Sequence, residues 1–445
     1  MDRRRFLGSA VAGVVGSTLL SCGGGGGDSG TVTTTEPPAS TAPPASTAPV
    51  IPSPTIKSRV IVIGGGMGGA TVAKYLRLWG DAISVTLVER MPTYTSNIMS
   101  SLVLTGQRTM SSLSFSYDTL RSKYGITTVF GEVVGIDPVS VKVTLADGTV
   151  LTADRIVLAP GISFDDVPGL GTSDKMPHAW QAGPQTALLA SQLNAMPSGG
   201  VMILTIPKTP YRCPPGPYER ACLLADWLKI NKPGSKLIVL DANPGIVTEV
   251  DNFTNAFTGL YGSVIEYHVN TEVISVDPNA MTLITTAGNF HGEVINLIPR
   301  QRAAPLLAVA GLNNATEGRF GRVNVLNYAS TVAGAEKVHV IGDASATTQP
   351  KAGHIANQEA KVCADAISRI LSGGSPDPAP VTNSACYSTI TMSQASWLHA
   401  LFQYDPGTAD MKAVAAASGA STGWDAENFE DMETWFNALM GDSFG

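Results

Sequence analysis

The segment Ser58-Arg-Val-Ile-Val-Ile63, Gly64-Gly-Gly-Met-Gly-Gly69, Ala70-Thr-Val-Ala-Lys-Tyr-Leu76 decides the fold of this chain. It reads as a β-branched strand and a helix, joined by a turn with Gly-x-Gly-x-x-Gly at Gly64, Gly66 and Gly69. The first glycine allows a tight turn, the second lets a pyrophosphate approach, and the third lets helix and strand pack closely. The segment therefore predicts a dinucleotide-binding βαβ unit, with the pyrophosphate at the helix N-terminus.

A second strand, Ser84–Val88, completes this unit and ends at Glu89. Because Glu89 follows Gly69 by twenty residues, its carboxylate is placed to accept hydrogen bonds from ribose hydroxyls. We assign Glu89 and its neighbour Arg90 to the cofactor site.

Two later strand ends indicate that the dinucleotide is FAD. The strand that begins at Asp154 ends in Ala159-Pro-Gly161, the Ala-x-Gly turn with which two-dinucleotide flavoproteins rejoin the FAD domain. The strand that begins at Val338 ends in Gly342-Asp343, where such proteins place an aspartate against the ribityl chain. Ala159, Gly161, Gly342 and Asp343 are therefore predicted to bind FAD.

A second βαβ unit is predicted from strand 201–205, helix 217–230 and strand 236–240. Its first turn is rich in proline instead of glycine, and prolines stiffen a turn and remove N–H donors. This composition argues against a nicotinamide nucleotide. A cysteine, Cys213, lies in the middle of the turn, which indicates sulfur chemistry.

The N-terminus predicts export. Residues 1–21 combine a basic start containing Arg3-Arg4-x-Phe6-Leu7 with a short apolar run, the pattern of a twin-arginine signal peptide. Leu19-Leu20-Ser21-Cys22 resembles a lipoprotein cleavage box, so we expect a lipid on Cys22 as the sole membrane contact and a periplasmic or extracytoplasmic location. Residues 22–57 then form a predicted disordered tether rich in glycine, serine, threonine and proline. The net charge of −7 argues against nucleic acid and suits a basic partner protein.

Several further motifs resemble those of one family, the flavoprotein subunit of flavocytochrome c sulfide dehydrogenase, with the sulfide:quinone oxidoreductases as more distant relatives. The matching segments are 64–71, 177–183, 211–221, 295–299, 339–344 and 385–388. The resemblance implies that hydrosulfide is oxidised at a cysteine pair beside FAD. We expect no metal site in this chain, because the cysteine spacing fits no zinc or haem-attachment pattern. It also implies that electrons pass to a c-type cytochrome, either a subunit or a soluble protein.

Three catalytic residues follow from this resemblance. Cys213 matches the cysteine next to the flavin, Glu219 matches a glutamate that handles protons, and Lys351 matches a lysine in the turn beside the isoalloxazine ring. A reactive Cys213 requires a lowered pKa, for which Arg212 and the following helix N-terminus are the expected causes. His178 and Trp180 are read as structural residues.

The chain departs from the family at two positions. Ser345 stands where the second redox cysteine is expected, and Ser96 stands where the family ties its flavin to a cysteine, so FAD is expected to be held non-covalently. Neither Cys222 nor Cys363 can be assigned from sequence as a partner of Cys213. A flavin-bearing electron-transfer or accessory protein without its own sulfide turnover therefore remains an alternative to a sulfide-oxidising enzyme.

The predicted fold class is α/β, with two Rossmann-like domains of the disulfide reductase type and a smaller C-terminal α+β domain. We place the FAD-binding domain at 58–165 and 299–376, the second dinucleotide-like domain at 166–298, and an interface domain at 377–445. In the last of these, Trp397, Leu398, Leu401 and Phe402 have helical spacing. The family resemblance implies that this region covers the flavin and meets the cytochrome.

Overall fold

The computed structural model describes residues 56–445, so the predicted signal peptide, lipid site and nearly all of the tether lie outside the described residues. The helices of the described part are α1 (Met67–Trp79), α2 (Ser101–Leu104), α3 (Asp118–Ser122), α4 (Pro184–Ala195), α5 (Gly216–Asn231), α6 (Val250–Asn255), α7 (Leu306–Val309), α8 (Gly353–Leu371) and α9 (Ala426–Phe444). Within residues 56–445, none of these helices has the length and apolar character needed to cross a membrane.

The strands, in chain order, are β1 (Ser58–Ile63), β2 (Ile83–Glu89), β3 (Thr93–Thr95), β4 (Ser114–Ser116), β5 (Thr127–Phe130), β6 (Val133–Asp137), β7 (Lys142–Leu145), β8 (Val150–Thr152), β9 (Arg155–Leu158), β10 (Ile162–Phe164), β11 (Val201–Ile206), β12 (Lys236–Asp241), β13 (Ile265–His268), β14 (Val273–Asp277), β15 (Thr282–Thr285), β16 (Gly288–His291), β17 (Val294–Asn296), β18 (Gln301–Ala303), β19 (Gly321–Asn324), β20 (Ala329–Ser330), β21 (Val338–Val340), β22 (Ser345–Ala346), β23 (Val381–Thr389), β24 (Ala395–Asp405), β25 (Asp410–Ala413) and β26 (Gly419–Ala420).

The first sheet is built around β1. Its strand order is β22-β19-β20-β21-β9-β1-β2-β5, and the run from β21 to β5 is parallel. Residues 60–63 of β1 are buried one after another, which shows that both faces of the sheet are covered. Helix α1 packs against α8 beside this sheet. The carboxyl ends of β1, β9 and β21 therefore meet at one edge.

The second sheet is also parallel, in the order β13-β12-β11-β17. Strand β11, helix α5 and strand β12 form the second βαβ unit that the sequence predicts. Two further sheets, β6-β7-β8 and β14-β15-β16, are antiparallel and three-stranded. The α/β fold with two Rossmann-like units is thus confirmed.

The C-terminal residues form the antiparallel sheet β23-β24-β25, with β26 added to β24, and helix α9. The helical spacing read for Trp397 to Phe402 was wrong, because these residues lie in β24 and pair with β23 along its whole length. A short apolar run fits both a helix and a strand, and long-range pairing decides between them. The later apolar residues, from Phe429 to Leu439, do lie in helix α9.

Candidate functional site

A cavity of about 510 Å³ opens where the carboxyl ends of β1, β9 and β21 meet the N-termini of α1 and α5. Ligands of open α/β sheets bind at this edge. Ten of the predicted site residues line it: Gly64, Gly66, Glu89, Arg90, Ala159, Gly161, Cys213, Glu219, Gly342 and Asp343. Two predicted residues, Gly69 and Lys351, lie outside the cavity lining.

The glycine turn after β1 has the geometry that a dinucleotide requires. Gly64 has a φ of +96°, and a Cβ atom there would lie 2.4 Å from the carbonyl oxygen of Ala159. At Gly69 a Cβ atom would lie 1.7 Å from the carbonyl oxygen of Gly64, so this residue sets the approach of α1 to the turn. At Gly66, by contrast, the nearest atom to an added Cβ is 3.8 Å away, on Tyr94. The space beside Gly66 is thus open toward the cavity.

Glu89 fixes the same turn from the end of β2. Its Oε2 atom accepts a hydrogen bond of 2.6 Å from the Gly65 N–H, and its Oε1 atom accepts one of 2.7 Å from the Arg90 N–H. The Tyr117 hydroxyl donates to the Gly65 carbonyl oxygen at 3.1 Å. The carboxylate thereby lies at the cavity wall in a fixed orientation.

Three orphaned polar atoms on the wall indicate a polar ligand. Within residues 56–445, Asp343 Oδ1, Trp180 Nε1 and Trp435 Nε1 belong to cavity-lining residues, are buried and lack a hydrogen-bond partner. Such groups are rare because leaving them unpaired costs free energy. Hydroxyl groups and ring heteroatoms of a flavin dinucleotide would satisfy them, so the residues present fit FAD.

Cys213 is held rigidly in the turn between β11 and α5. Its φ is +59°, a left-handed conformation that costs a non-glycine residue about 1–3 kcal/mol. The Cys213 N–H donates to the Lys351 carbonyl oxygen at 2.7 Å, and the Cys213 carbonyl oxygen accepts from the Gly216 N–H at 2.9 Å. A Cβ atom at Gly216 would lie 2.8 Å from Cys213 Sγ. The Cys213 thiol therefore packs against Gly216, the first residue of α5.

The predicted lowering of the Cys213 pKa was wrong for this cavity. Burial, and after it the charge of the neighbouring Glu219 carboxylate, raise the pKa of the Cys213 thiol to about 12, although Arg212 opposes both. The Arg212 guanidinium donates to the Trp180 carbonyl oxygen. Desolvation outweighs the charge of Arg212 and the N-terminus of α5.

Glu219 lies in the first turn of α5, on the cavity wall. Burial raises the pKa of its carboxyl group to about 7, although a hydrogen bond from Thr389 and the charge of Arg220 oppose the shift. The Thr389 hydroxyl donates to Glu219 Oε1 at 3.0 Å. The carboxyl group can therefore exchange a proton near neutral pH.

Lys351 supports the turn that carries Asp343. Its Nζ atom donates to the Ser345 carbonyl oxygen at 2.6 Å and lies 3.9 Å from the centre of the Phe320 ring. Ser345 is only 2% exposed, and its hydroxyl donates to the Gly342 carbonyl oxygen at 2.8 Å. The residue that replaces the expected second cysteine is thus bonded into the turn.

Trp180 and His178 differ in their placement. The Trp180 ring lines the cavity and contacts the Arg220 guanidinium at 4.6 Å, a position that its reading as a structural residue did not anticipate. His178 Nδ1 accepts from the Trp180 N–H at 3.0 Å, and burial lowers the pKa of its ring to about 4. The imidazole of His178 is therefore neutral.

Sequence reasoning missed one thiol. Cys386, in β23, lines the same cavity as Cys213, although the two residues are far apart in the sequence. The only signal was the family-like segment 385–388, which carried no assigned role. Helix α9 also reaches the cavity through Met432 and Trp435.

The fold and the site together define an FAD-dependent flavoprotein of the two-dinucleotide-domain class. Models of three families match successive parts of the chain. They describe pyridine nucleotide-disulphide oxidoreductases (residues 58–186), the central part of the sulfide dehydrogenase [flavocytochrome c] flavoprotein chain (186–299), and the flavin-binding part of flavocytochrome c sulphide dehydrogenase (378–444).

Individual relatives agree with these matches. The chain is 26% identical over 340 residues to apoptosis-inducing factor homolog B of Dictyostelium discoideum, covering 72% of this chain and 83% of that protein. It is 68% identical over 31 residues to the sulfide dehydrogenase [flavocytochrome c] flavoprotein chain of Chlorobaculum thiosulfatiphilum, a match of 7% of this chain and 65% of that sequence.

Among solved structures, the fold is similar to the sulfide:quinone oxidoreductase of Aquifex aeolicus. The TM-score is 0.70 at 18% identity, with 87% of this chain and 91% of that chain covered. The NAD-dependent persulfide reductase of A. fulgidus has a TM-score of 0.58 at 14% identity, with 86% of this chain and 77% of that chain covered. The chain is a member of the disulfide-reductase superfamily of the flavocytochrome c sulfide dehydrogenase flavoprotein type. The predicted family and its FAD cofactor are confirmed.

Proposed function

We propose that this flavoprotein oxidises sulfide, or a related small sulfur species, at Cys213 and passes the electrons through FAD to a c-type cytochrome. The observation that carries the proposal is the position of Cys213. A thiol fixed by backbone hydrogen bonds faces the cavity that fits FAD. When bound, the flavin supplies a two-electron acceptor that can return electrons singly.

Different residues of the chain would bind different parts of FAD. Gly64 and Gly66 would lie against the pyrophosphate, Glu89 would bind the ribose hydroxyls, and Asp343 would bind the ribityl chain through its unpaired oxygen. Non-covalent binding is proposed, since Ser96 offers no thiol for a bond to the flavin.

Proton transfer is assigned to Glu219. Because the Cys213 thiol is protonated at neutral pH, forming a bond between its sulfur and the substrate sulfur requires a base in the cavity to take the proton, and FAD, when bound, would accept the two electrons released. The Glu219 carboxyl group, with its pKa raised to about 7, takes the proton from Cys213 Sγ as the thiolate forms. Arg212 and Arg220 on the cavity wall attract an anionic substrate such as hydrosulfide. Lys351 acts as a positioning residue for the turn that carries Asp343.

Helix α9 supports a cytochrome as the electron acceptor. Its Met432 and Trp435 line the cavity, whereas its Glu427, Glu430 and Asp431 are exposed. The helix thus joins the cavity to an acidic surface that suits a basic cytochrome. Attachment outside the cytoplasm by a lipid on Cys22 is part of the same proposal and rests on the N-terminal sequence.

The test of the substrate is an anaerobic titration of the FAD-loaded protein with sulfide, in which the flavin absorbance is followed. We expect bleaching by one equivalent, loss of that response in Cys213→Ser, and its retention in Cys363→Ala, a buried thiol in α8. If the flavin stays oxidised in the presence of sulfide, the proposed sulfide-oxidising activity is refuted. That result would favour the accessory role that the replacement of the second cysteine by Ser345 suggests.

The test of the acceptor is the rate at which the reduced protein reduces a basic c-type cytochrome. The double variant Glu430→Lys, Asp431→Lys should slow the reaction several-fold at low ionic strength and little at high salt, because exposed charges act through screened fields. The matched control is Glu272→Lys, an exposed reversal in the second domain. Equal rates for both variants would exclude α9 as the docking surface.

A further inference from the structure

Two thiols face one cavity. Cys213 lies at the start of α5, Cys386 lies in β23, and both belong to the wall of the 510 Å³ cavity. We propose that Cys386 is the redox partner of Cys213 and that the two form a reversible disulfide. Cys386 would thereby take the role of the second redox cysteine, at whose expected position this chain has Ser345. Its part in turnover rests on the proposed function, whereas the bond itself can be tested without it.

The register between α5 and the C-terminal segment brings the two residues level. Thr389 contacts Glu219 through a 3.0 Å hydrogen bond, and the Met392 N–H donates to Asp226 Oδ2 at 2.9 Å. Both contacts advance toward the C-terminus, so the end of β23 and helix α5 run in the same direction at this point. The three strand residues from Thr389 back to Cys386 span about 10 Å, which is about the length of seven helical residues. Three residues back from Thr389 is Cys386. The same distance back from Glu219 reaches the turn at Cys213.

The charges around Cys386 agree with this placement. Burial raises the pKa of the Cys386 thiol, and the next largest contribution is the charge of Cys213, ahead of Glu249 and Glu219. Among the titratable neighbours of Cys386, Cys213 thus has the largest influence on the pKa of its thiol.

The other described cysteines are poor partners. Cys363 is 0% exposed and lies in a different hydrophobic cluster from the one that Cys213 packs against. Cys222 belongs to the same cluster as Cys213, but it is 0% exposed and lies outside the cavity wall. The four cysteines of the described part are Cys213, Cys222, Cys363 and Cys386. Only Cys213 and Cys386 among them line the cavity.

The chemistry balances in both directions. Closing the bond joins the two sulfur atoms and releases two protons and two electrons, for which an oxidised flavin is a two-electron acceptor of the required class. Hydrosulfide then opens the bond. Its sulfur forms a new bond to Cys213 Sγ, the Cys213–Cys386 bond breaks, and Cys386 leaves as a thiolate. One persulfide and one thiolate result, with no further oxidant consumed in that step.

The test is disulfide mapping of the FAD-loaded protein. The protein is reduced, the reductant is removed under anaerobic conditions, and the dithiol oxidant diamide is added in increments. Remaining thiols are alkylated at each point after denaturation, and the peptides are identified by mass spectrometry. We expect a linked peptide pair containing Cys213 and Cys386. The pair should be absent in Cys386→Ser and unchanged in Cys363→Ala, and flavin absorbance should verify that each variant still holds FAD.

The outcomes separate the two proposals. A Cys213–Cys386 link in a protein whose flavin ignores sulfide would support the pair and refute the substrate. Sulfide bleaching that is equal in wild type and Cys386→Ser, with Cys213 recovered alkylated throughout, would refute the pair and leave the substrate standing. A link from Cys213 to Cys222 would also overturn the assignment of Cys386.

Discussion

Replacing Glu219 by glutamine should remove a pH-dependent loss of stability. Burial raises the pKa of the carboxyl group from 4.5 to about 7, so the folded protein holds this proton more tightly than the unfolded chain. This tighter proton binding adds to the free energy of unfolding. The contribution is fully present below pH 4.5 and is lost as the pH rises through about 7. The linked free energy of unfolding therefore falls by about 2.5 kcal/mol between about pH 5 and pH 8. In Glu219→Gln the amide has no proton to lose, yet its oxygen can still accept from Thr389.

The assay is urea unfolding of the FAD-loaded wild type and variant at half-unit steps across this range. FAD affinity is measured separately at each pH and its contribution subtracted. The difference between the two proteins isolates Glu219 from other buried acids such as Glu359, which titrate in both. Glu272→Gln, an exposed substitution, is the control and should run parallel to wild type. If the free energy of unfolding of the wild type runs parallel to that of Glu219→Gln across the pH range, Glu219 does not have a raised pKa. That result would refute its role as the base in the cavity.

Two further substitutions test the FAD site. Gly69→Ala would place a Cβ atom 1.7 Å from the carbonyl oxygen of Gly64, which belongs to the backbone and cannot move aside. We therefore expect this variant to fail to bind FAD or to fold. The control is Gly441→Ala in α9, which should fold normally because no atom lies within 4 Å of the added Cβ. Soluble, flavin-loaded Gly69→Ala would disprove the packing argument. Asp343→Leu should weaken FAD binding by roughly tenfold or more, the value of a hydrogen bond to a charged acceptor. Flavin fluorescence titration measures this change, and an unaltered affinity would remove Asp343 from the site.

The sequence predicts the parts of the site that depend on local patterns. The glycine turn from Gly64 to Gly69, the acid at Glu89 and the Asp343 turn each follow a buried strand, and the parallel sheet brings these strand ends together. Such features need only the strand–turn–helix order, so they can be read without knowing the rest of the fold.

The features that depend on distant packing could not be predicted in this way. Cys386 reaches the cavity because β23 lies against α5, a contact between segments whose nearest ends, Asn231 and Val381, are 150 positions apart. The pKa of Cys213 depends on how much water the cavity wall excludes, and no nearby residue type reveals that. The strand at 395–405 likewise depends on pairing with β23, which overrides its helix-like spacing.

The central claim is that sulfur is oxidised at Cys213, and peptide mass spectrometry after anaerobic exposure to sulfide tests it most directly. The FAD-loaded protein is treated with one equivalent of sulfide, alkylated and digested. The account predicts a persulfide on Cys213, seen as one added sulfur atom, in step with the fraction of flavin reduced. Flavin reduction with Cys213 unmodified and outside any mixed disulfide or polysulfide would contradict it.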